Sequence, residues 1–511
     1  MAAKGDSMIN RFAIWHSTEL KVLGGVEVAI ALMLILPALY ALFVGEDTSI
    51  FIDSMMPVLI LGVVQFFLFA PSVNFRTVNG LILVALCWLV MFVLGSLPYL
   101  YAGMEPVNAV FESVNGFTTT GSSIIEDVNE WPVSLMIWRS MTQWLGGIAV
   151  VVIFIYILPM FGMGRTFFSN ELEGSGSSQF SMKLKNAAGS FIIVYLALTI
   201  LNFLMLLLCQ ASFVDALCMG LTTISTGGLI VSNNSLSDMN ISIQIVTMLF
   251  MFIGGVNFYL HFKAIIGRRP GEYLHNKELR YLLLWFLAAS LVIFVLYTIP
   301  KIQSAGFDFN TALMDFKNIL FTVISLGTTT GLYVTDFADF SEIILLILLV
   351  VMIIGASAGS TSGGIKFGRI RIITRFFNNT FKQILHPNAV YTVNVDDESI
   401  DDSRVLSAVS ITLLYILTMF LGTIVLLSQG LNWFDSIGLA AATVTNTGMG
   451  FGSFGPTGSF IQLNDGTKIF LMLLMWVGRL EISLALVFFT RTFWRDVRLA
   501  YRSSVKMRRM H

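Results

Sequence analysis

Apolar residues in this chain come in long unbroken runs, with polar residues confined to short intervals between them. Runs near 22–44, 55–71, 80–101, 133–162, 187–209, 242–266, 280–299, 341–376, 404–428 and 467–490 each approach or exceed the roughly 20 residues a helix needs to span a bilayer core. Between the later runs lie four shorter half-apolar stretches, 106–118, 212–224, 313–326 and 433–444. At about a dozen residues these predict helices too short to cross. Each leads into a Thr-Gly step: FTTTG at Phe117–Gly121, ISTGG at Ile224–Gly228, TTTGL at Thr328–Leu332 and TNTGMG at Thr445–Gly450.

The order long helix, short helix, Thr-Gly strip, long helix therefore occurs four times. Gly121, Gly227, Gly331 and Gly448 are separated by 106, 104 and 117 residues. One motif recurring at near-even spacing inside one hydropathy pattern predicts internal duplication. The expected division is a two-helix region at 1–78, repeats at 79–165, 186–267, 279–376 and 403–495, and a basic tail at 496–511. The predicted fold is an all-α polytopic membrane protein whose repeats surround one pore in pseudo-fourfold fashion.

Composition agrees: 56% of residues are hydrophobic and 12% charged, where soluble domains carry about a quarter charged. The first run lacks a small-residue cleavage site behind it and is expected to be a retained helix. Cys87, Cys209 and Cys218 lie in or beside apolar segments without a CxxC pair, so neither a disulfide framework nor a zinc site is expected. The 30 basic residues nearly balance the 31 acidic ones, but their placement is uneven. With the N-terminus inside, the cytoplasmic intervals hold Arg76, Arg165, Lys183, Lys185, Arg268, Arg269, Arg369, Arg371, Arg375 and the tail arginines. The outer side holds only Lys301, Lys317 and Lys468, and is otherwise acidic, as at Glu126, Asp127, Asp336 and Asp339. The positive-inside rule then places both termini in the cytoplasm.

Irregular backbone at membrane depth is stable only where protein buries it or it lines a watery cavity. Four equivalent strips can meet that condition together around one axis. Each short helix would direct its partly negative C-terminal end at that axis, favouring a cation. Carbonyl oxygens of the strip can then replace an ion's water shell. Glycine permits the backbone this requires, and threonine adds a hydroxyl oxygen. No strip contains a carboxylate, which favours a weakly hydrated monovalent cation over a divalent one.

Two further features sit inside apolar runs. GASAGSTSGGIK at Gly355–Lys366 is too rich in Gly and Ser for a helix interior and is expected to be an intramembrane break. Arg479, in WVGRLEI, is expected to face the bundle interior, with Glu112 as one possible partner. Arg139 could simply snorkel to an interface. The paired glycines of WLGG and FIGGVNF read as close helix packing rather than hinges, and the basic run KFGRIRIITR as a helix end or, alternatively, a docking surface.

With its four Thr-Gly strips and two leading helices, the chain resembles the Trk/Ktr/HKT superfamily of potassium transporters, and most closely its TrkH-type subunits. The resemblance covers nearly the whole chain. It implies a selectivity filter formed by Thr118, Thr119, Thr120 and Gly121, then Ser225, Thr226, Gly227 and Gly228, then Thr328, Thr329, Thr330 and Gly331, and finally Thr445, Asn446, Thr447 and Gly448. It places the filter glycines at Gly121, Gly227, Gly331 and Gly448, with potassium held at Thr119, Thr120, Ser225, Thr226, Thr329, Thr330, Asn446 and Thr447. In plant relatives a serine at the first of these glycines accompanies sodium preference, so Gly121 implies potassium. The 355–366 segment, with Gly355, Gly359, Gly363, Gly364 and Lys366, matches a loop that obstructs the path, and Arg479 matches a positive barrier beside it. A homodimer in the inner membrane on a ring of cytosolic nucleotide-binding regulatory subunits is implied as well, with no cofactor. Strip two lacks one threonine, and strip four has Asn446 where strips one and three have threonine.

Two other functions compete. GASAG matches the G-x-S-x-G of serine hydrolases, but it follows an apolar helix rather than a strand, and none of the five histidines has a matching acid. A proton- or sodium-coupled carrier would need a loading carboxylate, for which Glu27, Glu112 and Glu481 are the candidates. None of the three recurs across the repeats, which favours channel-like conduction.

Overall fold

The computed structural model describes residues 17–70, 77–152, 177–305, 308–337, 340–389, 391–396 and 398–507. The expectations that fall on Arg76, Arg165, Asp339, the end of the 133–162 run and the last four residues lie outside them.

Two helical segments lead the chain: α1 (Ser17–Met33) with its continuation α2 (Ile35–Val44), and α3 (Ser49–Leu68). They pack through glycine, since a Cβ on Gly24 would stand 2.7 Å from the Gly62 carbonyl and one on Gly62 would stand 2.8 Å from Glu27 Cβ. Small residues let helix backbones approach this closely in a membrane.

Four units follow. The first comprises α4 (Thr77–Gly95), α5 (Leu97–Tyr101), the short α6 (Pro106–Phe117) and α7 (Val133–Val152). The second comprises α8 (Ser177–Leu208), the short α9 (Phe213–Ile224), α10 (Ile241–Gly254) and α11 (Phe258–Ile265). After one turn of helix, α12 (Glu272–His275), the third comprises α13 (Lys277–Ala305), α14 (Phe309–Gly327), α15 (Glu342–Ile354) and α16 (Phe367–Leu385). A small antiparallel hairpin, β1 (Val393–Val395) and β2 (Glu398–Ile400), leads to the fourth unit. That unit comprises α17 (Asp402–Ser428), the short α18 (Trp433–Val444), α19 (Asp465–Arg479) and α20 (Ile482–Val487), with the basic α21 (Arg491–Met507) behind it. Six described helices are long and apolar enough to cross a membrane, and the α10–α11 pair adds a seventh if counted as one span.

The short helices start where their sequences provide a cap. Ser212, Asp308 and Asn432 each accept the backbone N–H three residues on, and α6 opens with Pro106 at its first turn. Their C-terminal halves are buried, whereas α8 and α13 leave Ile193, Leu196, Leu284 and Leu291 exposed on faces suited to lipid. The third short helix, α14, begins earlier than the 313–326 stretch suggested.

Three apolar runs are sharply bent or broken. The chain turns by 101° between α10 and α11, at the FIGGVNF motif. Its glycines do pack closely, Gly254 against the Ile224 carbonyl and Gly255 against Thr328, but they also flank this bend. The 341–376 run divides at the Gly/Ser segment, and the 467–490 run breaks at Glu481, whose φ is 67°.

Candidate ion-conducting site

All four short helices end alike. Thr118, Ser225, Thr328 and Thr445 are the caps. The next residue in each strip takes the left-handed conformation: Thr119 at φ 51°, Thr226 at 54°, Thr329 at 56° and Asn446 at 55°. The residue after it donates its N–H five residues back, from Thr120 to Asn115 O, Gly227 to Thr222 O, Thr330 to Ser325 O and Thr447 to Ala442 O, at 2.8–3.0 Å. This is a Schellman ending, normally completed by glycine. A β-branched threonine there costs on the order of 1–3 kcal/mol, and such strain persists where the surroundings impose it. Three of the four positions carry it.

Two residues further on, glycine is required for a different reason. Gly121, Gly228, Gly331 and Gly448 have φ of 90°, 80°, 75° and 79°. A Cβ on Gly121 would lie 2.6 Å from the carbonyl oxygen of Gly227. One on Gly228 would collide with Thr330 O, one on Gly331 with Thr447 O, and one on Gly448 with Thr120 O. Each glycine thus abuts the carbonyl of the next strip, and the fourth returns to the first. The four strips form a closed ring, in which the carbonyls of Thr120, Gly227, Thr330 and Thr447 occupy equivalent positions, each against the ring glycine of a neighbouring strip.

This geometry corrects the second strip by one residue. Gly228, not Gly227, is equivalent to Gly121, Gly331 and Gly448. Thr226 takes the place of Thr119, and Ser225 that of Thr118. Counting from the Thr-Gly step misled because the second strip has a glycine where the others have a second threonine. In those others the hydroxyls of Thr118 and Thr120, Thr328 and Thr330, and Thr445 and Thr447 bond to each other at 2.7–2.8 Å. At Gly227 the space is taken by Gln143 of α7, which donates to Gly227 O at 2.6 Å and accepts from Leu229 N at 3.1 Å.

The first strip is braced from behind by its own helix. Asn115 accepts from Gly121 N at 2.7 Å, and Glu112 accepts from Ser123 Oγ at 2.7 Å and Ile124 N at 2.9 Å. Glu112 is wholly buried and pairs with Arg139, itself 4% exposed, at 3.4 Å. Arg139 is therefore not a snorkelling side chain, and Glu112 is not the partner of Arg479. The guanidinium balances a carboxylate that would otherwise stand uncompensated behind the strip.

A cavity of about 480 Å³ opens on the glycine side of the ring, lined by Gly121, Gly228, Gly331 and Gly448 and walled by Glu126, Arg139, Asn233 and Tyr333. On the other side of the ring lies the 355–366 segment. Gly355, Gly359 and Gly364 all have positive φ, between 71° and 76°. Thr361 Oγ1 donates to Ile224 O at 2.9 Å and Gly254 O at 3.1 Å, and Gly363 N donates to Thr329 Oγ1 at 2.7 Å. A Cβ on Gly363 would collide with Thr445 O. The segment thus lies against strips two, three and four. Arg479 donates to Thr361 O at 2.8 Å, its other two nitrogens have no hydrogen-bond partner, and it is 6% exposed. It shares a water-sized cavity with Asn446, Lys366 and Tyr415. Lys366 stands at the N-terminal end of α16, as expected, and its side chain is buried and bonds back to Ser362. Glu481 pairs with Arg369 of α16 through both oxygens, at 2.7 and 3.0 Å.

Gln143, Asn115 and the Glu112–Arg139 pair were not among the residues expected to shape the strips. The missing threonine at Gly227 was the available signal, since a vacancy in a ring of equivalent side chains must be filled by something.

Comparison with known proteins agrees with this architecture. The TrkH family, described as a cation transport protein, matches residues 47–496. The chain is 30% identical over 491 residues to the Trk system potassium uptake protein TrkH of Vibrio parahaemolyticus, spanning 93% of this chain and 99% of that one. It is also 30% identical over 490 residues to an uncharacterised cation transporter of Methanocaldococcus jannaschii, covering 94% and 96%. The crystal structure of the potassium transporter TrkH from Vibrio parahaemolyticus superposes with a TM-score of 0.83 at 29% identity, over 94% of this chain and 99% of that one. These likenesses fit a transporter and leave no place for the hydrolase reading of GASAG. Ring, cavity and sequence converge on one conclusion: the chain belongs to the TrkH family of cation transport proteins.

Proposed function

We propose that this protein takes up potassium across the cytoplasmic membrane through a channel-like pore. The observation that carries this is the closed ring of four strips, each following a short helix, with equivalent backbone carbonyls and no carboxylate in any strip. A dehydrated monovalent cation replaces its water shell with such oxygens, and the relatives named for potassium uptake support potassium as that ion. The filter comprises Thr118–Gly121, Ser225–Gly228, Thr328–Gly331 and Thr445–Gly448. The 480 Å³ cavity is then the outer vestibule, and both termini are cytoplasmic, as the placement of Lys and Arg supports.

On the inner side the 355–366 segment closes the path, and Arg479 with Lys366 adds a positive barrier. Opening requires that segment to leave the strips. A cytosolic nucleotide-binding partner and a second copy of the chain belong to this reading. What favours a docking surface is α16, whose Phe381, Ile384 and Leu385 stand exposed beside its basic residues.

Coupling to protons or sodium is disfavoured by the carboxylates themselves. Glu112 is engaged by Arg139, Glu481 by Arg369, and Glu27 bonds Gln65 within the leading helices, away from the ring. A negative-inside potential of 100 mV supplies about 2.3 kcal/mol per charge, enough to drive uptake without coupling.

The test is potassium against sodium flux in proteoliposomes with a clamped potential and no proton gradient, with and without cytosolic regulator. Passive, potassium-selective flux in both directions is expected. Flux that appears only with a proton or sodium gradient would overturn the channel reading.

A further inference from the structure

The ring has three like members and one exception, and the exception is held from outside. In strips one, three and four the residue giving the ring carbonyl is threonine, tied by its hydroxyl to the cap residue of the same strip. In strip two it is Gly227. There the tie is replaced by Gln143, a wholly buried side chain from the preceding unit. Its amide nitrogen meets Gly227 O at 2.6 Å and its oxygen meets Leu229 N at 3.1 Å, so one side chain clips the main chain on both sides of Gly228. The amide's orientation is fixed by its partners, because a carbonyl only accepts and an N–H only donates. The fit is exclusive: a Cβ on Gly227 would collide with the Gln143 amide. Below it, Gly147 abuts Ser225, and above it Arg139 reaches Ile230 O at 3.5 Å. Positions 139, 143 and 147 share one face of α7, and that face supports strip two along its length.

We infer that Gln143 is a positioning residue that sets the ion selectivity of the ring by fixing the Gly227 carbonyl. This rests on the proposal that the ring is the filter. A carbonyl oxygen has two acceptor sites. Gln143 takes one from behind, leaving the other for the ion, and stops the carbonyl from turning inward to close on a smaller cation. In the other three strips the residue giving the ring carbonyl is held through its side chain by a hydroxyl of its own strip, whereas in strip two a side chain of the preceding unit bonds the ring carbonyl itself.

The test compares potassium-to-sodium permeability ratios in proteoliposomes for the wild type, Gln143→Leu, Gly227→Thr, the double variant Gln143→Ala/Gly227→Thr, and Gly121→Ser as a reference. Gln143→Leu keeps the volume and removes the donor. Its ratio is expected to fall by about three- to tenfold, the factor that one neutral hydrogen bond is worth. Gly227→Thr alone is expected to abolish uptake, because its side chain needs the space Gln143 fills. The double variant empties that space and lets the new threonine bond Ser225 as its counterparts bond their caps, so uptake is expected to return. A wild-type ratio in Gln143→Leu, with an altered one in Gly121→Ser, would leave the filter in place and reduce Gln143 to packing. If neither variant changes the ratio, the filter reading itself fails. If Gln143→Leu does not fold, rescue in the double variant decides: its absence overturns the inference.

Discussion

Asn446 reaches across the ring to Thr120. Its amide nitrogen donates to the Thr120 hydroxyl at 3.0 Å and to the Met475 carbonyl at 2.9 Å, joining the fourth strip to the first and to the helix behind it. Read from the chain alone, asparagine at this position only breaks the symmetry of the threonines. In place, it suits a left-handed backbone better than threonine does and makes the junction where the ring closes.

Asn446→Ala is accordingly expected to destabilise the protein by about 2 kcal/mol, through two lost buried hydrogen bonds and a poorer left-handed residue. Thermal unfolding in detergent measures this. A loss under about 0.5 kcal/mol would show that the junction contributes little.

The one-residue shift in strip two separates two neighbouring glycines. Gly228→Ala places a methyl group on the Thr330 carbonyl and should abolish potassium flux. Gly121→Ser pushes on the Gly227 carbonyl and should lower discrimination against sodium. Unchanged permeability ratios in Gly121→Ser would remove that residue from the filter.

Glu112 and Arg139 form a buried pair, and removing one member leaves the other charge uncompensated. Glu112→Gln or Arg139→Met alone should each cost about 3–5 kcal/mol, and the combined change less than their sum. A double-mutant cycle on unfolding in detergent gives the coupling, and additive effects would show that the pair does not act as a unit.

In the 355–366 segment, proposed to close the path, Gly363→Ala drives a methyl group against the Thr445 carbonyl, and Arg479→Gln removes the charge at Thr361. Both variants should raise flux in protein reconstituted without any regulator. Unaltered or lower leak in both would assign the 355–366 segment a structural role only.

Much of this was legible in the chain. The length of the apolar runs located the six described helices long enough to span, and the four short stretches marked helices whose backbone had to be buried. The bend at FIGGVNF was not legible: paired glycines permit close packing and a break equally, and here they serve both. The partners of Arg139 and Glu112 were out of reach as well, since they sit 27 residues apart and are brought together by the packing of α6 on α7. The Gly227 error has a clear physical origin. A repeat is aligned by what its backbone must do, and in strip two the left-handed residue and the ring glycine stand one place later than the letters suggest.

The 355–366 segment is fastened mainly to units other than its own. Ser357 N bonds Gly255 O at 3.1 Å, and Phe258 N bonds Gly359 O at 3.0 Å. The Thr361 hydroxyl, whose one hydrogen is shared between Ile224 O and Gly254 O, the Gly363 N–H to strip three and the Arg479 guanidinium add three further bonds. At about 1 kcal/mol net for each bond, releasing the segment costs roughly 5 kcal/mol. If that segment closes the path as proposed, the open form at rest is only on the order of one molecule in several thousand. Any effector that makes opening common must prefer the released form by a factor of about 10⁴, a preference a small contact patch rarely supplies and a large subunit interface can.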